Sequence, residues 1–312
     1  MNQRSFAKLV TPLFIGALVL VACTAPATVA PTAAPASTSK LKAVATFSFL
    51  GDLVKNVGGD KIDVVTLVGP GGDVHEFEPT PSDAAKIADA TVIFEDGLDF
   101  ETWLPGIVQS SGSKAVRVVT SEGVKTRNFV ENGKQVTDPH IWQNVQNAII
   151  MVKNIAAGLA KIDPANAATY TANAEAYIKT LDALDKEVEA VANQLPKEER
   201  KIVTSHDALG YFAERYGFTV EGSVIASLST EAGEPSAQDV VKLVAAIKDT
   251  RTKAIFLESM SNPKLVERVA QEAGVKVGPE LYTDALGKAD SPGATYVDAL
   301  RYNVKAIIGA LK

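Results

Sequence analysis

The sequence contains a single cysteine, Cys23, among its 312 residues. An internal disulfide is therefore excluded, and the folded part must be stabilised by its own apolar cores. A dense run of lysine and arginine is also missing, and the net charge is −6. Because nucleic-acid phosphates require a positive protein surface, these features argue against nucleic acid as the main partner. After the first 23 residues, no apolar run is long enough to span a membrane.

The first 23 residues have the pattern of a secretory signal. Arg4 and Lys8 precede an apolar run that starts at Leu9 and stops at Cys23, and this run is shorter than a stable membrane span. The tetrapeptide Leu20-Val21-Ala22-Cys23 resembles a bacterial lipobox, in which the cysteine is lipidated and becomes the mature N-terminus. An ordinary signal peptide with a chance cysteine is the alternative.

The segment that follows, residues 23–40, is made largely of alanine, proline, threonine and serine. It has no core-forming pattern, so we expect a flexible, partly extended tether. With residues 1–22 as signal peptide and Cys23 as lipid anchor, the sequence predicts an exported lipoprotein at the outer face of the cytoplasmic membrane.

From Leu41 onward, short β-branched runs alternate with longer helical patterns, which is typical of βαβ units with parallel, buried sheets. We expect an α/β protein with two lobes, each a roughly four-stranded parallel sheet flanked by helices. The predicted strands are 42–47, 62–68, 91–94 and 115–119 in the first lobe and 201–205, 219–225, 254–258 and 281–283 in the second. The lobes are assigned to residues 41–162 and 197–312.

The segment between the lobes, residues 163–196, predicts one long rigid helix. Asp163 and Pro164 suit its first turn, and Pro196 suits its end. About thirty residues make a rod of about 45 Å. Its apolar residues recur at alternating steps of four and three and therefore share one face: Tyr170, Ala174, Tyr177, Leu181, Leu184, Val188, Val191 and Leu195. An ordinary surface helix of the second lobe is the alternative.

The three histidines, His75, His140 and His206, have similar settings in the sequence. His75 and His206 come after predicted strands, as does Asp284, and parallel α/β sheets gather ligands at the carboxyl ends of their strands. His140 lies in the segment TDPHIWQ, before a helical pattern. Each residue alone is explained more readily as a surface histidine or a helix cap than as a ligand, and the four together leave metal binding open.

Four motifs add to that layout: VGPGGDVHEFEPTPSD, DPHIWQNVQNA, TSHDALGYFAERYGF and LYTDALG. In this order and spacing they resemble the zinc- and manganese-binding solute-binding proteins of ABC transporters, the cluster A-I family, over essentially all of residues 42–312. The lipobox, the tether and the long helix agree with this resemblance. It implies that His75, His140, His206 and Asp284 bind one transported metal ion, two ligands coming from each lobe.

The ligand set implied by the resemblance favours Zn²⁺. Three imidazoles and one carboxylate suit a borderline divalent ion, and manganese carriers of the family commonly have a carboxylate where this chain has His206. Zinc carriers often have a histidine-rich loop before the second ligand, and here no histidine precedes His140 in that segment. Mn²⁺ or Fe²⁺ is therefore the alternative. Since histidine must be neutral to bind a metal, affinity should fall as pH drops through about 6.5.

The resemblance implies a monomeric, extracytoplasmic component of an ABC importer that delivers its ion to a membrane permease with a cytoplasmic ATPase. It implies no enzyme activity. A secreted zinc hydrolase is the alternative from another class. However, no motif such as HExxH supplies a general base, and Asp284 would fill the position that a catalytic zinc leaves open to water. A role in cell adhesion is the weakest alternative, because no separate adhesion module is present.

Other residues near these motifs have two readings. Near His75, Asp73, Glu76 and Glu78 are either outer-shell groups of the site or simply solvated. Further along, Glu231 and Glu234 either line the mouth of the cleft or belong to the start of a helix at Glu234-Pro235-Ser236. Trp103 and Trp142 are expected to be packing residues. The segment GPGGDVH lacks the lysine and hydroxyl residue of a phosphate loop, so its glycines are expected to let the backbone turn.

Overall fold

The computed structural model describes residues 40–131, 133–232, 235–259 and 261–312. The predicted signal peptide, the lipidation site at Cys23 and the tether up to residue 39 lie outside these ranges, as does Glu234. None of the helices within the described ranges has both the length and the hydropathy that a membrane span requires.

The sheet of the first lobe has four parallel strands in the order β2-β1-β3-β4. They are β1 (Leu41–Phe47), β2 (Ile62–Val68), β3 (Val92–Glu95) and β4 (Val116–Val119), within about a residue of the predicted bounds. The helices of this lobe are α1 (Ser48–Gly58), α2 (Pro81–Asp89), α3 (Leu104–Ser111) and α4 (Val145–Ile162). The central strand β1 is buried from Ala43 to Phe47, as expected for a parallel sheet covered on both faces.

A two-stranded hairpin, which the sequence pattern did not indicate, lies between β4 and α4. Its strands β5 (Asn128–Glu131) and β6 (Lys134–Thr137) pair antiparallel. Gly133 takes left-handed backbone with φ 74°, as a tight hairpin turn requires. The hairpin places its two ends, Arg127 and Asp138, next to each other, with a backbone hydrogen bond of 3.0 Å from Asp138 N to Arg127 O.

The predicted connecting helix is present as α5 (Ala167–Ala192), which follows a short 3₁₀ turn at Pro164–Asn166. Its 26 residues make a rod of about 39 Å, shorter than predicted because the first turn is 3₁₀ and the α-helix stops before Leu195. The predicted apolar face is buried, with only Val191 partly exposed, and α5 packs against α4 and α1 of the first lobe and against the C-terminal helix Tyr296–Leu311. This single long helix joins the two lobes.

The sheet of the second lobe repeats the layout of the first, with parallel strands in the order β10-β9-β7-β8. The strands are β7 (Lys201–Thr204), β8 (Thr219–Ser223), β9 (Ala254–Glu258) and β10 (Lys276–Leu281). The helices are α6 (Gly210–Tyr216), α7 (Ala237–Thr250), α8 (Pro263–Ala273) and α9 (Tyr296–Leu311). The first three strands match the prediction, with β8 ending two residues early.

The predicted last strand at 281–283 is wrong: β10 ends at Leu281, and Tyr282 and Thr283 lie outside it. The segment that forms β10, KVGPEL, contains glycine and proline and is mostly exposed. These residues are tolerated because β10 is an edge strand, bonded to β9 on one side only. Asp284 therefore lies in the loop that follows the end of β10.

A buried aspartate connects α5 to both lobes. Asp185 is 4% exposed, and its Oδ2 accepts hydrogen bonds from Gln146 of α4 at 2.9 Å and from Arg215 of α6 at 2.5 Å. Its Oδ1 accepts a bond from the Tyr216 hydroxyl at 2.9 Å. One carboxylate thus ties the connecting helix to one helix of each lobe.

Replacing Asp185 with asparagine is expected to lower the free energy of unfolding by about 2 kcal/mol, because a hydrogen bond to a buried charged group is lost. Chemical denaturation of the metal-free protein measures this. Asp182→Asn on the exposed side of the same helix is the matched control, with an expected change below about 0.5 kcal/mol. Equal effects of the two substitutions would contradict the role given to Asp185.

Candidate metal site

The structure brings together the four residues His75, His140, His206 and Asp284. His75 lies in the loop after β2, His140 between β6 and α4, His206 two residues after β7, and Asp284 in the loop after β10. His75 is 8% exposed and the other three are fully buried. One ligand atom from each lies within 4.8 Å of all the others. The two lobes therefore supply two side chains each to one small cluster.

The spacing of the four side chains suits a tetrahedral metal site. Oδ2 of Asp284 is 3.3 Å from Nε2 of His75 and 3.0 Å from Nε2 of His206. Oδ1 of the same carboxylate is 3.6 Å from Nε2 of His140. A tetrahedral zinc site with bonds of about 2.0–2.1 Å separates neighbouring donor atoms by about 3.3 Å. The three observed distances between donor atoms, 3.0, 3.3 and 3.6 Å, are close to that value.

The inward-facing atoms of the cluster have no hydrogen-bonding geometry with each other. Among the described residues, Nε2 of each histidine and both carboxylate oxygens of Asp284 are buried without a hydrogen bond. Buried polar atoms left in this way are costly. A divalent cation at the centre would satisfy these atoms together, so the residues present fit such an ion.

The imidazole of His140 is oriented by Asp138. Oδ1 of Asp138 lies 2.8 Å from Nδ1 of His140 and accepts a bond of 3.0 Å from its backbone N–H. Oδ2 of Asp138 pairs with Arg127 at 2.5 Å, and its carbonyl accepts a bond of 2.8 Å from the hydroxyl of Tyr211. A carboxylate on Nδ1 fixes the ring so that Nε2 can bind a metal.

The imidazole of His206 is oriented by Glu258, the last residue of β9. Oε2 of Glu258 lies 2.6 Å from Nδ1 of His206, and Oε1 accepts a bond of 2.9 Å from its backbone N–H. The Thr283 hydroxyl donates to Oε2 at 2.6 Å. Because β9 and β7 are neighbours in the sheet, the glutamate and the histidine meet at adjacent strand ends.

Sequence reasoning missed both orienting carboxylates, although each carries a local signal. Asp138 stands two residues before His140 in the segment DPH. Glu258 ends an otherwise apolar strand, AIFLE, and is only 1% exposed. A charged residue at the carboxyl end of a buried strand is the place where a functional group is expected.

Charge within the cluster shifts the pKa values of its members. Burial alone would lower the pKa of His140, but Asp284 and Asp138 outweigh it and raise that pKa to about 9. Burial likewise disfavours charge on His206, while Glu258 and Asp284 raise its pKa well above the usual value. Burial would raise the pKa of Asp284, but the cationic His206 and His140 hold it well below the usual range. In the absence of a metal, protons therefore compensate the buried carboxylate.

The backbone next to Asp284 is bonded to the first lobe. The carbonyl of Thr283 accepts hydrogen bonds from Trp142 Nε1 at 2.8 Å and from Gln143 Nε2 at 2.6 Å. Trp142 is fully buried and packs against Phe47 at 4.7 Å between ring centroids, which is the packing role expected from the sequence. The residues that directly follow His140 thus hold the segment that carries Asp284.

A second pair of bonds fixes the other side of Asp284. The backbone N–H of Leu286 donates to Ser48 Oγ at 2.8 Å, and its carbonyl accepts a bond of 2.9 Å from Gly71 N. Gly71 has φ 75°, a left-handed conformation that glycine adopts without strain. The glycine-rich turn before His75 thereby contacts the loop of Asp284.

The acidic residues flanking His75 differ in their contacts. Asp73 Oδ1 accepts the backbone N–H of His75 at 2.8 Å. Glu76 and Glu78 are exposed, as is Glu231 in the second lobe. Asp73 is therefore the acid of this loop that is tied to a residue of the cluster.

The sequence and the fold have counterparts among known proteins. The family model described as "Zinc-uptake complex component A periplasmic" (ZnuA) matches residues 43–310. The manganese ABC transporter substrate-binding lipoprotein PsaA of Streptococcus mitis is 35% identical over 313 residues, covering 96% of each chain. The iron ABC transporter substrate-binding lipoprotein MtsA of Streptococcus pyogenes serotype M1 is 33% identical over 314 residues, again covering 96% of each chain.

A solved structure with the same architecture is the periplasmic zinc-binding protein TroA from Treponema pallidum. It superimposes with a TM-score of 0.81 at 33% sequence identity and covers 88% of this chain and 99% of its own. The names of these three proteins specify three different metals: manganese for PsaA, iron for MtsA and zinc for TroA.

Proposed function

The chain belongs to the family described as "Zinc-uptake complex component A periplasmic", and we propose that it captures Zn²⁺ outside the cytoplasm for an ABC importer. Membership makes it a metal-binding component of such a transporter. In this role, the side chains of His75, His140, His206 and Asp284 bind one metal ion as cargo. The observation that carries it is the set of buried, unpaired Nε2 and carboxylate atoms converging within 4.8 Å.

The chemistry of the four side chains supports zinc over manganese. Three imidazole nitrogens with one carboxylate form a borderline donor set, whereas Mn²⁺ is better served by oxygen ligands. The orienting carboxylates Asp138 and Glu258 increase the basicity of two of the imidazoles. The names of relatives do not choose among Zn²⁺, Mn²⁺ and Fe²⁺, so the ligand set decides the proposal.

Elemental analysis tests this function directly. Protein purified without added metal is expected to contain zinc, and titration of the metal-free protein with Zn²⁺ is expected to reach one ion per chain. Mn²⁺ is expected to bind at the same site more weakly and to be displaced by Zn²⁺. Absence of stoichiometric binding, or two equivalent ions per chain, would contradict the proposal.

The ligand set also supports a carrier rather than a hydrolase. Four protein ligands complete a tetrahedral shell, whereas a catalytic zinc keeps one position open for water. Delivery to a permease with its ATPase, a monomeric state, and membrane attachment through a lipid on Cys23 complete the proposal. Cys23 lies outside the described residues, so the anchor is supported by the lipobox pattern and by relatives that are named lipoproteins.

The donor type at position 206 is expected to set the metal preference. In a His206→Glu/Glu258→Gln double variant, a carboxylate replaces the imidazole, and the second change avoids placing two carboxylates in contact. The ratio of Zn²⁺ to Mn²⁺ affinity should fall at least about tenfold, because oxygen donors favour the harder ion. Competition titrations with both metals measure the ratio.

The single variant Glu258→Gln is the control for this experiment. It keeps His206 and should weaken both metals by a similar factor, about 10–100-fold, as loss of an orienting carboxylate does. An unchanged ratio in the double variant would show that His206 does not set the preference.

A further inference from the structure

One carboxylate links the turn that carries His75 to the second lobe. Oδ1 of Asp73 accepts the backbone N–H of His75 at 2.8 Å and that of Glu76 at 3.4 Å. Its Oδ2 accepts a hydrogen bond of 2.8 Å from the hydroxyl of Thr230. Thr230 begins a 3₁₀ turn of the second lobe and is 9% exposed. The Asp73–Thr230 hydrogen bond therefore crosses the cleft directly beside the cluster.

His75 is held differently from the other two histidines. His140 and His206 each have a carboxylate oxygen on Nδ1, at 2.8 Å and 2.6 Å. Within the described ranges, no carboxylate lies at ion-pair distance from Nδ1 of His75. Its ring rests edge-on against Phe100, with centroids 5.0 Å apart. The position of this imidazole thus depends on its backbone turn, and the turn is bonded to Asp73.

The same region contains open space beside the cluster. A cleft of about 550 Å³ is lined by His75 together with Asp99 of the first lobe and Ser229 and Glu231 of the second. A smaller cavity of about 240 Å³ is lined by Asp73 and Thr230 themselves. The Asp73–Thr230 hydrogen bond therefore lies at the smaller cavity, while the chain neighbours of Thr230, Ser229 and Glu231, line the larger cleft.

The exposed fractions of the four side chains also indicate the His75 side of the cluster. His75 is 8% exposed, whereas His140, His206 and Asp284 are fully buried. The backbone beside Asp284 is tied to the first lobe through Thr283 and Leu286, as described above. An ion that enters or leaves must pass the ligand that solvent reaches, which is His75.

We propose that Asp73 and Thr230 are positioning residues for metal exchange, and that their hydrogen bond holds His75 against the bound ion. Breaking it frees the turn to move about Gly71, withdraws the imidazole and opens the site toward the larger cleft. The inference rests on the proposed function, since it requires that the four side chains bind a metal ion. It concerns the rate of exchange and leaves the ligand set unchanged.

Release of Zn²⁺ from the loaded protein tests this inference. The purified protein is mixed in a stopped-flow instrument with excess 4-(2-pyridylazo)resorcinol, and the zinc complex of the dye reports release. Thr230→Val removes the hydroxyl and keeps the shape of the side chain, and should raise the release rate about tenfold to hundredfold, as expected for loss of a hydrogen bond to a charged group. Thr230→Ser keeps the hydroxyl and should release zinc at the wild-type rate.

A double-mutant cycle separates this role from general destabilisation. In an Asp73→Ala background, Thr230→Val should cause no further acceleration, because the shared interaction is already lost. Thr250→Val is the matched control: it removes a hydroxyl that donates within its own helix to Ala246 O at 2.8 Å. That variant should release zinc at the wild-type rate.

Either of two results would overturn this inference while leaving the proposed function intact. One is a Thr230→Val release rate within twofold of wild type while the wild-type protein binds one Zn²⁺, in which case the proposed function stands and this inference alone fails. The other is acceleration by Thr230→Ser equal to that by Thr230→Val, which would show that the hydroxyl is irrelevant. A wild-type protein that binds no Zn²⁺ would overturn the proposed function and this inference with it.

Discussion

Replacing Asp284 with asparagine is expected to weaken Zn²⁺ binding by about two to four orders of magnitude. The carboxylate is fully buried and lies within 3.6 Å of Nε2 of all three histidines. It supplies the negative charge that offsets the ion inside the cluster. Removing one partner of a buried charge pair costs about 3–5 kcal/mol, and about 1.4 kcal/mol corresponds to a tenfold change in affinity. Calorimetric or competition titration of the metal-free variant measures the loss.

Asp290→Asn is the control for this substitution, because Asp290 is exposed in the same lobe. Its zinc affinity should equal that of the wild type. Both variants should give the far-ultraviolet circular dichroism of the parent, since asparagine matches aspartate in shape. If Asp284→Asn bound zinc within tenfold of the wild-type affinity, Asp284 would not be a ligand.

The affinity for Zn²⁺ is expected to rise at least about a hundredfold between pH 6 and pH 8. Metal binding requires a free lone pair on Nε2 of His140, and the charges of Asp284 and Asp138 raise the pKa of that residue to about 9. Below this pKa the ion must displace a proton, so affinity increases about tenfold for each pH unit. The raised pKa of His206 acts in the same direction.

The pH range over which the zinc affinity changes is therefore higher than the range expected from the sequence. Three histidines with the ordinary pKa of about 6.5 would together change the affinity about 60-fold between pH 6 and pH 8, but only about twofold between pH 7 and pH 8, where the raised pKa of His140 still gives about tenfold. Titrations against a chelator of known proton and zinc affinity distinguish the two slopes. Asp138→Asn should give a shallower slope, because one of the charges that raise the pKa of His140 is removed. A wild-type increase of less than about threefold between pH 7 and pH 8 would contradict the charge arrangement described for the cluster.

Most of the fold could be predicted from the sequence because its signals are local. Apolar β-branched runs mark the buried strands β1 and β9, and a four-and-three periodicity marks α5. The hairpin and β10 escaped prediction because their strands are short or polar, and one carries glycine and proline. Such segments become strands only because a neighbouring strand offers backbone partners at the edge.

The four side chains of the cluster could be proposed from the sequence because each lies near a strand end or in a motif. Their orienting partners could not be assigned in the same way. Glu258 meets His206 across 52 residues of sequence, and only the order of strands in the sheet makes them neighbours. The Asp73–Thr230 bond spans 157 residues and depends on how the two lobes meet.

The bonds of Trp142 and Gln143 to the Thr283 carbonyl have a kinetic consequence. They keep the segments of His140 and Asp284 in register across the cleft. Displacement about a fixed edge grows with distance from it, so an opening on the His75 side would leave these two residues close together. The open protein would then retain a partial site made of His140 and the two side chains of the second lobe, His206 and Asp284, which would hold an arriving ion weakly. Zinc uptake would proceed in two phases: a fast, weak encounter with this partial site, and a slower tightening as His75 closes on the ion.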